Sequence, residues 1–204
     1  MKKIILISMT IFFVSNLFGQ SVEIYGNGVY SSTHYKFKKQ DYFKGHFTSS
    51  FGLNYNFESK KKLNYMIGLS YDKKGADYEN MFNDFIINRF DFITLKGLAR
   101  WNISPNYELQ FGAYTAFLTN LEVSPTNSYT QEFIDNSRNN EVGISLNIQQ
   151  LIFTKKQFEG YIKVESNYGL TTIWKGYSFF GFESYRHNIT LGLGLAVRWN
   201  FKEE

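Results

Sequence analysis

The stretch NITLGLGLAVRWNF, residues 188–201, alternates strictly between two kinds of side chain. Between the apolar residues lie small or polar ones, among which only Arg198 is charged. The apolar set comprises Ile189, Leu191, Leu193, Leu195, Val197, Trp199 and Phe201. A period of two residues is that of a β-strand, so the two sets face opposite sides of a sheet. The stretch therefore predicts one strand with a continuous apolar face.

The same alternation recurs along the chain, and we count eight segments that show it, beginning near Val22. Aromatic residues make up 19% of the chain and there are only two prolines, a balance typical of strand-rich proteins. The connections alternate in length: short ones lie at 58–62, 104–106 and 154–157, and long ones near 33–44, 74–89, 122–140 and 173–186. This organisation predicts an all-β fold, an eight-stranded antiparallel up-and-down barrel with both termini at the short-turn end.

The distribution of charge indicates which way the apolar faces point. Along the predicted strands, the apolar positions carry no Asp, Glu, Lys or Arg, whereas the opposite positions carry eight charged residues. These are Glu23, Lys96, Arg100, Glu108, Glu159, Lys163, Glu165 and Arg198. Eight strands enclose only enough room for side chains or one small ligand, and the bulky apolar set would overfill it. We therefore expect a transmembrane β-barrel whose apolar residues, Leu121 among them, contact lipid.

The N-terminal segment MKKIILISMTIFFVSNLFG indicates export from the cytoplasm. Two lysines precede an apolar run from Ile4 to Val14, and Gly19 and Gln20 follow a less apolar end. These features predict a cleaved signal peptide over 1–19 and a barrel domain over 20–204, with an uncleaved N-terminal anchor as the alternative. We expect the barrel to lie in a Gram-negative outer membrane with both termini in the periplasm. The net charge of +4 is scattered, which argues against a nucleic-acid partner.

Three stretches resemble a known family. DFITLKGLARWNISPNYELQFGAYTAFLTN (91–120) resembles the central strand pair of the small PorT-like outer-membrane β-barrel domains of Bacteroidota, and YGLTTI (168–173) and ITLGLGLAVRWNF (189–201) are similar to their closing segments. Thr94 stands where that family has a proline. The resemblance implies the barrel fold and an outer-membrane location, and it adds a role in protein secretion as one candidate function.

The eight charged lumen residues are the main candidate functional group. Four are positive and four are negative, and charged groups in a narrow, water-poor lumen need partners. A selective pore should instead carry an excess of one sign. We therefore predict a salt-bridged plug that makes the barrel rigid, with an ion or proton path as the alternative.

Other polar residues give weaker signals near the long-loop end. His34, His46 and His187 fall on neighbouring strands, where a metal site is geometrically possible, but we expect scattered surface histidines. His187 with Glu183 and Ser184 is a candidate triplet for lipid-modifying catalysis, which we do not favour because these residues fall in or beside a loop. The first long loop carries lysines that could contact lipopolysaccharide phosphates: Lys36, Lys38, Lys39 and Lys44.

These observations together favour an integral outer-membrane barrel with a structural, adhesive or scaffolding role. Its long loops would form the recognition surface, and lipopolysaccharide or other envelope proteins would be the partners. We expect no enzymatic activity and neither a cofactor nor a bound metal. A protein-secretion component, a lipid-A-modifying enzyme and a narrow channel remain the alternatives.

Overall fold

The described part of the chain folds almost entirely into β-strands. In the computed structural model the described residues are 19–35, 43–58, 63–79, 85–124, 135, 137, 139–171, 174–177 and 183–201. The predicted signal segment, apart from Gly19, lies outside them. The strands are β1 (Gly19–Tyr35), β2 (Phe43–Glu58), β3 (Leu63–Glu79), β4 (Phe85–Ser104), β5 (Tyr107–Ser124), β6 (Asn140–Lys155), β7 (Phe158–Gly169), β8 (Trp174–Tyr177) and β9 (Glu183–Asn200).

The sheet closes on itself. Each strand from β1 to β6 pairs antiparallel with the next, β7 pairs with β9, and β9 pairs with β1 from Ser21↔Asn200 to Tyr35↔Arg186. The short strand β8 pairs only with the first residues of β9, so it is not one of the eight strands that close the barrel. The predicted eight-stranded antiparallel barrel is confirmed. Within the described ranges, no α-helix has both the length and the apolar character that crossing a membrane requires.

The two faces of the strands point as the alternation predicts. In β9 the side chains of Leu191, Leu193 and Leu195 are 55%, 62% and 61% exposed, whereas Thr190 and Arg198 are 3% and 2% exposed. The same contrast holds along the other strands of the barrel, where large apolar residues are exposed and polar ones are buried. The outer surface of the barrel is therefore an apolar belt, and its lumen is polar.

Aromatic residues mark both edges of the belt. At the short-turn end, Trp199 packs against Phe158 and Phe201, with ring centroids 6.1 and 5.0 Å apart. At the long-loop end, Tyr30 packs edge-on against Phe47 at 5.2 Å. Such girdles flank the apolar band of membrane-spanning barrels. Beyond the second girdle, the outward positions become polar, as the cross-strand row Lys73, Asp91 and Asn120 illustrates.

The connections agree with the prediction at one end and differ at the other. The turns after β4 and β6 are two residues long, and Lys156 adopts the left-handed φ of 54° that tight hairpin turns use. At the opposite end, the segments 74–89, 122–140 and 173–186 were predicted as loops, but strands continue into each of them, over 74–79, 85–89, 122–124, 140, 174–177 and 183–186. The barrel wall therefore continues beyond the belt, because the polar residues there still pair across strands.

A bulge in β5 shows that the predicted lipid-facing orientation of Leu121 is wrong. The β4–β5 register shifts between Asp91 and Phe92, so that Phe92 pairs with Leu118 whereas Asp91 pairs with Asn120. One extra residue reverses the alternation beyond it. Leu121, which the simple alternation places toward lipid, instead packs against a buried cluster inside the barrel. That cluster comprises Phe90, Phe92, Tyr114, Ala116 and Val123.

Candidate functional site

The charged lumen side chains form three layers between the two ends of the barrel. Nearest the short turns, Arg198 Nη2 lies 2.9 Å from Glu23 Oε2 and 2.8 Å from Glu108 Oε1. Arg198 also approaches Glu159 at 3.6 Å, and Arg100 Nη2 lies 2.9 Å from Glu108 Oε2. We call these five residues the short-turn layer. Two guanidinium groups thus bind three carboxylates that belong to different strands.

Amide side chains complete the coordination of the short-turn layer. Asn54 and Gln149 each donate to Glu23 Oε1, at 2.8 and 2.9 Å, and Gln110 donates to Glu108 Oε1 at 2.8 Å. Glu23 and these three amides are buried, and Glu108 is 5% exposed. Since a buried carboxylate needs both a cation and hydrogen-bond donors, this arrangement satisfies the charges that burial would otherwise destabilise.

The middle layer consists of Lys96, Lys163, Glu165 and Tyr25. Glu165 forms ion pairs with both lysines: its carboxylate lies 2.5 Å from Lys96 Nζ and 3.0 Å from Lys163 Nζ. Lys96 Nζ also donates to the Tyr25 hydroxyl at 3.1 Å. All eight charged residues that the sequence placed in the lumen are therefore brought into two connected groups.

The long-loop layer contains charges that sequence reasoning missed. Lys74 Nζ lies 2.6 Å from Glu141 Oε1, and Tyr114 donates to the same oxygen at 2.5 Å. Asn188 donates to the other carboxylate oxygen of Glu141. Lys74 was assigned to the predicted loop at 74–89, and Glu141, the first residue after the predicted loop at 122–140, was not counted among the lumen charges. The signal that could have found them is the continued alternation of Asp72, Lys74 and Ala76.

Three lumen tyrosines each lie against a small residue on the adjacent strand. The pairs are Tyr25–Gly52, Tyr114–Gly143 and Tyr161–Ala196. A cation stacks on each ring: Lys163 Nζ is 3.5 Å from the Tyr25 centroid, Lys74 Nζ 4.8 Å from Tyr114, and Arg198 Cζ 4.4 Å from Tyr161. A desolvated contact of this type contributes about 2 kcal/mol. The lumen therefore repeats one unit of cation, tyrosine and carboxylate in each layer.

The middle of the lumen is packed. Gln110, Asn147, Gln149 and Lys163 have no exposed surface. A cavity of about 560 Å³ opens at the short-turn end and stops at Arg100 and Arg198. A second cavity, about 10 Å³, has room for about one water molecule and lies beside Asp72, which accepts hydrogen bonds from Ser50 and Ser70. Chemically, the described lumen is a closed ion-pair network.

The described side chains of His46 and His187 have different partners. His46 accepts from Arg89 Nη2 at 3.1 Å, and partial burial, followed by the positive charge of Arg89, lowers the pKa of His46. His187 Nδ1 bonds the carbonyl oxygen of Gly169 at 2.9 Å. His34 pairs with His187 through the backbone. Among the described residues, no three His, Cys, Asp or Glu side chains are placed to hold a metal ion.

The structure describes the backbone of some of the remaining candidate residues and not of others. Glu183 and Ser184 pair with Tyr177 and Gly176 in the β8–β9 hairpin, which is strand rather than the predicted loop. Lys44 lies in β2, where it pairs with Asp77 through the backbone. Lys36, Lys38 and Lys39 lie outside the described residues.

The fold matches solved outer-membrane barrels. The outer membrane protein OprG from Pseudomonas aeruginosa superposes with a TM-score of 0.57 at 8% sequence identity, covering 89% of this chain and 96% of that chain. The outer membrane protein AlkL, determined in lipid bilayers, superposes with a TM-score of 0.52 at 8% identity and covers 91% of both chains. No family model and no curated protein sequence matches this chain. The chain therefore has the fold of the small outer-membrane β-barrels.

Proposed function

We propose that this chain is an integral outer-membrane protein with a structural, adhesive or scaffolding role, whose long-loop end is a recognition surface and whose termini lie in the periplasm. One observation supports a non-conducting role above all: the ion pairs of Glu23, Glu108, Glu165 and their cations fill the middle of the lumen. The apolar belt between two aromatic girdles supports the membrane location.

Membrane association and conductance measurements test this proposal. The protein should fractionate with the outer membrane, resist carbonate extraction and show heat-modifiable gel mobility. In a planar bilayer it should give no stable conductance, because the packed side chains leave no continuous aqueous path. Steady, ion-selective opening events would contradict the closed lumen. Recovery in the soluble fraction would contradict the membrane location.

The orientation of the barrel follows from the same proposal. An epitope inserted at Ser137 should be labelled on intact cells, whereas one placed after Glu204 should be labelled only after permeabilisation. The reverse labelling pattern would place the short turns outside the cell.

We further propose that the first long loop and the adjoining start of β2 contact lipopolysaccharide through Lys36, Lys38, Lys39 and Lys44, since clustered lysines attract phosphate. Barrel in nanodiscs should bind immobilised lipopolysaccharide, and the variant with all four lysines changed to Gln should bind less at low salt. A comparison variant in which the three lysines Lys60, Lys61 and Lys62 at the short-turn end are changed to Gln should bind as well as the wild type. Equal loss in both variants would contradict a specific contact.

A second candidate function rests on the resemblance of residues 91–120 to PorT-like barrels. That resemblance supports a role as a component of a protein-secretion apparatus. Deleting the gene should then reduce the secreted protein fraction without altering outer-membrane permeability, and full secretion in the deletion strain would exclude this role. The absence of catalysis stays a proposal that an assay of lipid A modification with purified protein would test.

A further inference from the structure

A recess interrupts the apolar belt where β5, β6 and β7 lie side by side. It has a volume of about 470 Å³, and its lining residues include Phe111, Ile144, Leu146, Ser166 and Tyr168. Gly112 and Ser145 also line it, although Ser145 faces the lumen, where its hydroxyl bonds Asn147. The recess therefore reaches down to the backbone of the barrel wall.

The recess exists because one small residue lies in a row of large ones. Phe111, Leu146, Ser166 and Leu191 are successive cross-strand neighbours on β5, β6, β7 and β9. The three apolar members are 44%, 50% and 55% exposed on the belt surface. Neighbouring side chains on one sheet face are only about 5 Å apart, so a serine between two leucines leaves a gap with apolar walls.

The recess ends at a polar edge. Tyr168 lies at its long-loop end, with its ring stacked on His187 at 6.0 Å and 11°. His187 uses Nδ1 to bond Gly169, so Nε2 is its remaining polar atom. Lys175 lies in the adjoining β8–β9 hairpin. Basic residues at a membrane surface attract anionic lipid headgroups.

We propose that this recess binds one acyl chain of a lipid A molecule, with a phosphate of that lipid at the His187 end. The proposal rests on the proposed outer-membrane location, because the outer leaflet is where this lipid would meet the long-loop half of the belt. Contact between apolar surfaces gives little selectivity inside a bilayer, since lipid chains are as apolar as leucine. Selectivity therefore comes from the shape of the recess and from the charge at its edge.

Native mass spectrometry of the detergent-solubilised barrel with purified lipid A tests the proposal. The wild type should retain one lipid A molecule, and Ser166→Phe, which fills the recess, should lower the retained fraction at least fivefold. Ser49→Phe is the control, because Ser49 also faces outward, from β2 on another side of the barrel, but is exposed where Ser166 is half-buried in the recess. It should retain lipid A as the wild type does.

A second comparison tests the role of the headgroup. Phosphatidylethanolamine should be retained at least fivefold less than lipid A, and His187→Gln should lower lipid A retention without changing that of phosphatidylethanolamine. Equal retention of the two lipids, or equal loss in the Ser166 and Ser49 variants, would overturn the proposal. All proteins are first checked for insertion into vesicles by heat-modifiable mobility. If the wild type inserts but retains no lipid A, this inference fails alone; if it does not insert, the membrane location fails too.

Discussion

Arg198 and Glu108 form a two-pronged ion pair across the lumen. Arg198 Nη1 lies 3.0 Å from Glu108 Oε2, and Nη2 lies 2.8 Å from Oε1. The residues belong to β9 and β5, which are not neighbours in the sheet. Bidentate pairs of this kind are the strongest of the charge-assisted hydrogen bonds. The contact therefore links two strands that no backbone hydrogen bond connects.

Removing Arg198 should destabilise the barrel more than removing Arg100. Arg198→Met leaves Glu23 without its cation and Glu108 with one of two, so we expect a loss of about 3–5 kcal/mol in the free energy of unfolding, measured in urea with lipid vesicles. Arg100→Met leaves Glu108 paired with Arg198 and removes the buried, unpartnered Nε and Nη1. Its loss should be at most about 1.5–3 kcal/mol. A larger loss for Arg100→Met would show that the two arginines do not share Glu108 in this way.

Lys74 and Glu141 should show strong energetic coupling. Lys74→Met leaves a buried carboxylate without its cation, which typically costs about 3–5 kcal/mol. The double variant Lys74→Met with Glu141→Gln removes the stranded charge, so it should be more stable than Lys74→Met alone. Unfolding in urea of the wild type, both single variants and the double variant gives the coupling energy. Additive losses would mean that the pair is solvated.

A methyl group at Gly143 should displace Tyr114. A Cβ there would clash with the Tyr114 ring and the carbonyl oxygen of Tyr168. We expect Gly143→Ala to lower the free energy of unfolding by about 1–3 kcal/mol, the usual range for overpacking. Gly97→Ala is the control because its Cβ would meet no heavy atom within 4 Å. Equal effects in the two variants would show that Tyr114 is free to move.

A charge on the belt should cost far more than a charge beyond it. Leu193 is 62% exposed and lies between the girdle residues Trp199 and Tyr30 in depth, so Leu193→Arg places a guanidinium in hydrocarbon. The expected loss is about 2–4 kcal/mol near the bilayer midplane. Ser124→Arg, on the exposed end of β5, should unfold in urea as the wild type does. Equal stability of the two variants would contradict a lipid-facing belt.

The sequence by itself determined the eight strands that close the barrel and, outside the bulged end of β5, their two faces. The reason is physical: successive side chains of a strand alternate between faces, so the pattern in 188–201 assigns Leu193 and Arg198 to opposite sides without knowledge of any neighbour. The eight charged residues predicted for the lumen lie there by the same rule, since most pairs of neighbouring strands keep one register along their length.

Only the tertiary structure decided which side chains meet. The β5 bulge adds one residue that the pattern does not reveal, and it turns Leu121 inward. The pairing of Arg198 with Glu108 depends on distances across the closed barrel, which alternation along a single strand does not encode. Lys74 and Glu141 belong to the lumen because the wall continues past the belt, held by cross-strand hydrogen bonds rather than by apolar patterning. The recess at Ser166 likewise depends on register, because Leu146 and Leu191 flank it from other strands.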